Sequence, residues 1–264
     1  MTGATDGIGL ETARALARQG HRVILHGRTA ARAEAAAALL RREQPAADLA
    51  TAAADLARPA EVRALAEALR AAHPRLDVLL HNAGLYARTR QVTADGLELT
   101  FAVNHLAPFL LTRLLLDRVR EARGRVVVVA SGVHGQASLD LDDLQGERSW
   151  DGYRAYARSK LCNVLFAAEL AERLRGSGAT ANSLHPGVVG TKLLKAAFAM
   201  EGPYSPAHGA ATSVFLATSP EVEGVSGRYS VRQEAVPASR LARQADLRQA
   251  LWAVSERLCG LAPA

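Results

Sequence analysis

The chain opens on Thr2-Gly3-Ala4-Thr5-Asp6-Gly7-Ile8-Gly9, which runs straight into Leu10-Glu11-Thr12-Ala13-Arg14-Ala15-Leu16-Ala17-Arg18. The second stretch carries an apolar stripe at helical spacing and stops at Gly20. A glycine loop that enters a helix N-terminus presents backbone N–H groups to a pyrophosphate, and a buried β-strand ordinarily feeds it. Only Met1 precedes this loop. A strand lost from the middle of a sheet leaves two neighbours with unpaired backbone. The expectation is therefore that the first strand is missing here and that the native protein begins about five to eight apolar-rich residues upstream, a usual strand length.

Outward from the loop, β-like runs alternate with helical ones. Strands are predicted at 21–27, 49–54, 76–81, 125–130, 180–185 and 228–231. Helices are predicted at 30–42, 59–72, 96–120, 153–175 and 207–217, with a C-terminal helix at 239–258. Val126, Val127, Val128 and Val129 are apolar at every position, as in a strand covered on both faces. The alternation implies a doubly wound, mainly parallel α/β sheet, with ligands beyond the C-terminal strand ends. No linker, repeat or low-complexity block divides the 264 residues, so a single domain over 1–264 is expected.

The net charge is +6, from 32 basic residues of which three are lysine (Lys160, Lys192, Lys195). The arginines are scattered along Ala- and Glu-rich helices, a bias in usage and not a nucleic-acid footprint. Cys162 and Cys259 have no ligand or disulfide spacing, so no metal is expected and a reducing, cytoplasmic compartment fits. The apolar run at 106–116 reads as too short and interrupted to span a bilayer.

Function is sought in the polar residues after each strand. His26-Gly27-Arg28-Thr29 follows the second β run, where an NAD site usually places a carboxylate on the ribose. Arg28, with Arg32 one turn on, suits a 2′-phosphate, and NADP(H) is favoured over NAD(H). Arg28 also reads as an ordinary arginine at a solvated helix start. Asp55-Leu56 and Asn82-Ala83-Gly84 end the next two strands. Small residues at 83 and 84 admit close backbone approach, whereas Asp55 alone could serve a helix N-terminus and Asn82 a turn.

Tyr156 and Lys160 stand at i, i+4 on one helix face, with Asn163 continuing the stripe. An ammonium beside a phenol, helped by a cationic nicotinamide ring, lowers the tyrosine pKa toward a useful acid–base range. Ser131 closes the valine strand and is placed either to hydrogen-bond a substrate oxygen or merely to terminate the strand. Asn104 lies within a long apolar helical pattern, where a polar residue either kinks the helix around a water or binds a loop carbonyl. Segment 187–207, with Leu193, Leu194, Phe198 and Met200, reads either as a lid over an apolar substrate or as a surface helix.

Together TGATDGIG at 2–9, DL at 55–56, NAG at 82–84, NH at 104–105, Ser131, YARSK at 156–160 and HPGVVGT at 185–191 resemble the short-chain dehydrogenase/reductase family along the whole chain. The stretches SGVH at 131–134, DDLQ at 142–145 and LCNVLF at 161–166 resemble its retinol-dehydrogenase-like branch, as does the tail with GRY at 227–229 and LWAVS at 251–255. The resemblance implies a Rossmann-type fold and a catalytic tetrad of Asn104, Ser131, Tyr156 and Lys160. It implies that Gly3, Thr5, Asp6, Gly7, Ile8 and Gly9 meet the dinucleotide with Arg28, Arg32, Asp55, Leu56, Asn82, Ala83 and Gly84. Tyr156 and Lys160 would reach the ribose side, and Pro186, Gly187, Val189 and Thr191 would line the nicotinamide. His81 and Ala130 depart from the family's usual asparagine and serine without replacing a tetrad member.

The expected function is hydride transfer between NADP(H) and a small carbonyl or alcohol, lipophilic in character, with Tyr156 as general acid/base. The alternative is a catalytically silent nucleotide-sensing or scaffold protein of the same fold. Neither a nucleic-acid partner nor a membrane span is expected, and the resemblance leaves room for a homo-oligomer.

Overall fold

The computed structural model describes residues 1–263. Helix α1 (Gly7–Arg18) grows directly from the glycine loop, with Asp6 as its N-cap. The chain continues through β1 (Val23–Gly27), α2 (Ala30–Glu43), β2 (Leu49–Ala53), α3 (Pro59–Ala72), β3 (Val78–His81) and α4 (Leu99–Glu121). Then come β4 (Arg125–Val129), α5 (Gly152–Arg173), β5 (Thr180–His185), a short α6 (Lys192–Phe198) and α7 (Pro206–Thr218). The chain closes with β6 (Tyr229–Val231), β7 (Glu234–Val236) and α8 (Ala245–Leu258). Two elements differ from the sequence reading. β7 was not expected, and the expected helix 239–258 begins only at Ala245, after a separate 3₁₀ turn at Leu241–Arg243.

β1 and β2 pair in parallel, β3 to β6 form a second parallel run in chain order, and β7 adds antiparallel to β6. Between these two groups lie residues 1–4. The Thr2 N–H donates to the Leu80 carbonyl at 2.9 Å, and the His26 N–H donates to the Met1 carbonyl at 3.1 Å. The Ala4 N–H donates to the His26 carbonyl at 2.9 Å, and the Met1 ammonium donates to the Ile24 carbonyl at 2.9 Å. Residues 1–4 thus join β1 to β3 at the loop end of the sheet, where strand order reverses and an open α/β sheet forms its crevice. Toward the opposite strand ends β1 and β3 are not paired with each other.

Alternation along β4 sends Val126 and Val128 into one apolar layer and Val127 and Val129 into the other. The first layer holds α3, α4, α5 and α8; the second holds α1, α2 and α7. α4 is longer than the 106–116 run suggested, and by length and composition it could cross a bilayer, but 78% of its apolar window is buried inside the domain. Its middle departs from the α form as a π turn at Ala102–Leu106. Pro108 has no N–H to give to the Asn104 carbonyl four residues back, so a regular α-helix cannot continue through it. α8 seals the outer face of this layer. Trp252 packs edge-on to Phe109 at 4.8 Å between ring centroids, and His105 and Ser255 share a hydrogen bond of 2.9 Å.

Candidate active site

A cleft of about 690 Å³ opens at the loop end of the sheet, within the range that encloses a cofactor-sized ligand. Its lining includes every residue expected to touch a dinucleotide, from Gly3 through Thr191, together with Ser131, Tyr156 and Lys160. Asn104 is fully buried behind this wall.

The glycine loop is fixed from three sides. The Asn82 amide donates to the Thr2 carbonyl at 3.1 Å and to the Gly3 carbonyl at 2.9 Å, so Asn82 sets the loop against β3. His26 Nδ1 accepts the Gly3 N–H at 3.3 Å, which leaves Nε2 protonated to donate to the Ala54 carbonyl at 3.1 Å. Burial holds the His26 pKa down at about 4, so this neutral tautomer persists at neutral pH. Gly9 has no room for a side chain, since a β-carbon there would stand 2.0 Å from the Gly3 carbonyl oxygen. Gly7 is different. At φ +52 its face opens toward Thr191, the nearest side chain at 3.5 Å. The first turn of α1 therefore offers an open cradle at a helix N-terminus, which fits a diphosphate.

Asp55 folds into its own turn, accepting the Ala57 N–H at 3.0 Å, and Arg58, not Asp55, is the N-cap of α3. Arg28 and Arg32 are exposed on the cleft margin. Among the described residues no carboxylate holds either in an ion pair, although Arg32 faces Asp6. Thr191 Oγ1 accepts the Leu194 N–H at 3.2 Å and caps α6, while Gly187 at φ +93 turns the chain under Tyr204.

At the reactive end, Lys160 is 3% exposed and donates to the Val129 carbonyl at 3.0 Å. Its ammonium lies 5.6 Å from the centroid of the Tyr156 ring. Burial lowers its pKa to about 8 and raises that of Tyr156 to about 12, a rise that the hydrogen bond to Ser131 opposes. The spacing argument foresaw a lowered tyrosine pKa with the ammonium and a cationic nicotinamide beside it; in the protein by itself desolvation dominates and raises it. Asn104 takes the loop-carbonyl option: its amide donates to Leu85 O at 2.9 Å and to Ser159 Oγ at 3.0 Å, while its oxygen accepts the Leu85 N–H at 2.8 Å. Ser159 in turn donates to the Tyr156 carbonyl at 2.7 Å. Asn104 thus ties the loop after β3 to the helix that carries Tyr156 and Lys160. Gly84 closes the set, since a β-carbon there would lie 3.4 Å from Lys160 Nζ and 3.5 Å from Asn104 Oδ1.

α6 crosses the mouth of the cleft, and Leu193, Leu194 and Phe198 line it. Met200, expected among them, is 53% exposed and outside the lining. Phe198 approaches Tyr156 at 6.2 Å and Tyr86 at 5.8 Å between centroids, and Tyr86 approaches Tyr156 at 5.8 Å. The Arg88 guanidinium holds α6 in place through two donations to the Ala196 carbonyl, at 3.0 and 2.8 Å. Tyr86, Arg88 and the loop-setting role of His26 escaped the sequence reading. Only nearness in sequence to the NAG motif and to the β1 end hinted at them.

A family model described as short chain dehydrogenase matches residues 1–202. Human retinol dehydrogenase 14 is 41% identical over 290 residues, covering 99% of this chain and 85% of that protein. Bovine dehydrogenase/reductase SDR family member 13 is 42% identical over 280 residues, covering 100% and 73%. Among solved structures, an uncharacterised protein of Mycobacterium paratuberculosis superposes with a TM-score of 0.82 at 33% identity, covering 100% of this chain and 93% of that one. A short chain dehydrogenase from Shigella flexneri, solved in complex with NADP, gives a TM-score of 0.71 at 26% identity, covering 88% and 95%.

Proposed function

From the premise that this chain belongs to the short-chain dehydrogenase/reductase family, we propose that it reduces a lipophilic carbonyl with NADPH, with Tyr156 as the proton donor. The observation that carries the reading is the meeting of Ser131, Tyr156 and Lys160 on one wall of the cleft whose other end is the open α1 cradle. Gly3, Thr5, Gly7 and Ile8 would hold the diphosphate, and Arg28 and Arg32 the 2′-phosphate that distinguishes NADP(H). When bound, the dinucleotide supplies or accepts the hydride, chemistry for which no side chain here substitutes.

The residues of the chain supply position and the proton. Ser131 and Tyr156 are placed to hold a carbonyl oxygen between two hydroxyls. With its pKa pushed up to about 12, Tyr156 keeps its proton at neutral pH and has it to give to a carbonyl oxygen. Lys160 stands behind it as a buried ammonium, and Asn104 keeps the supporting loop and helix in register. The wall of Leu193, Leu194 and Phe198, with Tyr86 packed against Phe198, suits an apolar substrate.

NADPH consumption measured against a panel of aldehydes and ketones tests this. Tyr156→Phe is expected to cut turnover by about 10²–10⁴-fold while NADPH affinity stays within about twofold. Retained turnover in that variant would remove Tyr156 from the mechanism. NADPH binding by the wild-type protein without turnover of any panel member would favour a silent nucleotide-sensing role.

A further inference from the structure

One charged contact at the roof of the cleft has no part in the chemistry described so far. α6 starts directly above the first turn of α1: Thr191 lies 3.5 Å from the position of a β-carbon on Gly7. The next residue, Lys192, places its Nζ 2.5 Å from Asp6 Oδ2, while Asp6 Oδ1 accepts the Gly7 N–H at 2.9 Å. Asp6 therefore puts a carboxylate at the helix terminus where the diphosphate would lie. The first turn of α1 contains no acidic residue, so Asp6 is the negative charge at this end of the helix. As an N-cap it is well placed, since it satisfies a backbone donor and faces the positive end of the helix dipole. Beside a bound diphosphate it is a like charge, and a cation at the same spot is needed to offset it.

Lys192 is that cation. Its side chain is 87% exposed and its ion pair bridges two surface groups, an arrangement that contributes little to folding. It nevertheless lines the cleft with Asp6 and Gly7, and its ammonium has three N–H donors where Asp6 Oδ2 occupies one. Arg32 also faces Asp6, but it stands at the opening of α2 beside Arg28, where a 2′-phosphate would engage it.

We propose that Lys192 is a ligand for the diphosphate of the dinucleotide, stored on Asp6 at the α1 N-terminus, so that one ammonium fastens the lid helix to the cofactor. This rests on the cofactor reading given above and assigns a residue to it that neither the glycine loop nor the Tyr156–Lys160 helix supplies. Because the diphosphate is common to NADP(H) and NAD(H), Lys192 acts on both alike. Arg28 acts only on the phosphorylated form.

Binding titrations with NADPH and with ADP-ribose, which has the diphosphate but neither nicotinamide nor 2′-phosphate, separate these roles. Lys192→Met is expected to weaken both ligands about five- to tenfold, with the loss shrinking as salt rises, and Lys192→Arg to restore most of it. Arg28→Ala is expected to weaken NADPH and leave ADP-ribose unchanged. Chymotryptic cleavage at Phe198 is expected to slow when ADP-ribose is added to the wild-type protein and not when it is added to Lys192→Met. If Lys192→Met binds both ligands within twofold of wild type, Lys192 is only a surface partner of Asp6, and the proposal falls while the cofactor reading stands. If the wild-type protein binds neither ligand, both fall together.

Discussion

At the scale of single residues, Lys160 and Tyr156 are expected to set the pH behaviour of the proposed reaction. Lys160 holds its proton below about 8 and loses it above, because burial disfavours the ammonium. Tyr156 keeps its proton until about 12, so it does not limit the acid form over the working range. Carbonyl reduction is therefore expected to hold level up to a pH of about 8 and to fall above it, with Lys160→Met abolishing that limb as well as lowering the rate. Measurement of kcat/KM against pH in both proteins checks this; a limb that survives in Lys160→Met belongs to another group. The pair itself was legible in the sequence, because i, i+4 spacing places two side chains on one face. The direction of the tyrosine shift was not. Spacing reports a neighbour, whereas the dominant effect is the removal of water by Tyr86, Phe198 and the strand ends, which approach from remote parts of the chain. His26 and Arg88 were illegible for the same reason, since each acts through a backbone group made nearby only by folding.

At the scale of elements, the alternation of strands and helices was readable because each carries its own period, 2.0 or 3.6. β7 was not, and the cause is local. The β6–β7 hairpin turns through Arg232 and Gln233 at φ +52 and +68, where glycine or asparagine would ordinarily announce such a turn. The π turn in α4 falls on Asn104, where a kink was one of the two readings, but its width is a property of the folded backbone. The central feature at this scale is the interval between β1 and β3, joined by residues 1–4 at one end and unpaired at the other. A segment of five to eight β-branched residues fused ahead of Met1 is expected to pair with both strands in parallel. Several added backbone hydrogen bonds at about 1 kcal/mol net each correspond to a rise in Tm on the order of 5–10 °C. An unchanged Tm in a fused protein of unaltered helix content would show that the interval is closed to a strand.

Across the whole molecule, buried histidines make acid the weak side of the fold, three of the four most strongly. His26, His81 and His105 have pKa values held down at about 4, 3 and 3 by burial. The unfolded chain takes up these protons near the ordinary value of 6.5, while the native protein refuses them. Each site's stabilisation is thus intact above 6.5 and is lost as the pH falls toward its folded pKa, at about 1.4 kcal/mol per pH unit. Urea unfolding is expected to show stability dropping steeply from pH 6.5 to about 4, with a shallower slope in His105→Phe. A level profile over that interval would mean that the three rings are solvated in the native state. The sequence showed the histidines but not their burial, which needs both layers of the sheet in place.

α8 has a further consequence, one that concerns time. Ser255 meets His105 beside Asn104, 150 residues apart in sequence, and Trp252 covers Phe109 on the same helix. A ribosome releases the N-terminal half of a chain seconds before its end. During that interval α4 already carries the residue that braces the active site, with its outer aromatic face bare. That aromatic face therefore stays adhesive until α8 has been made, and this layer of the fold closes only when the helix docks.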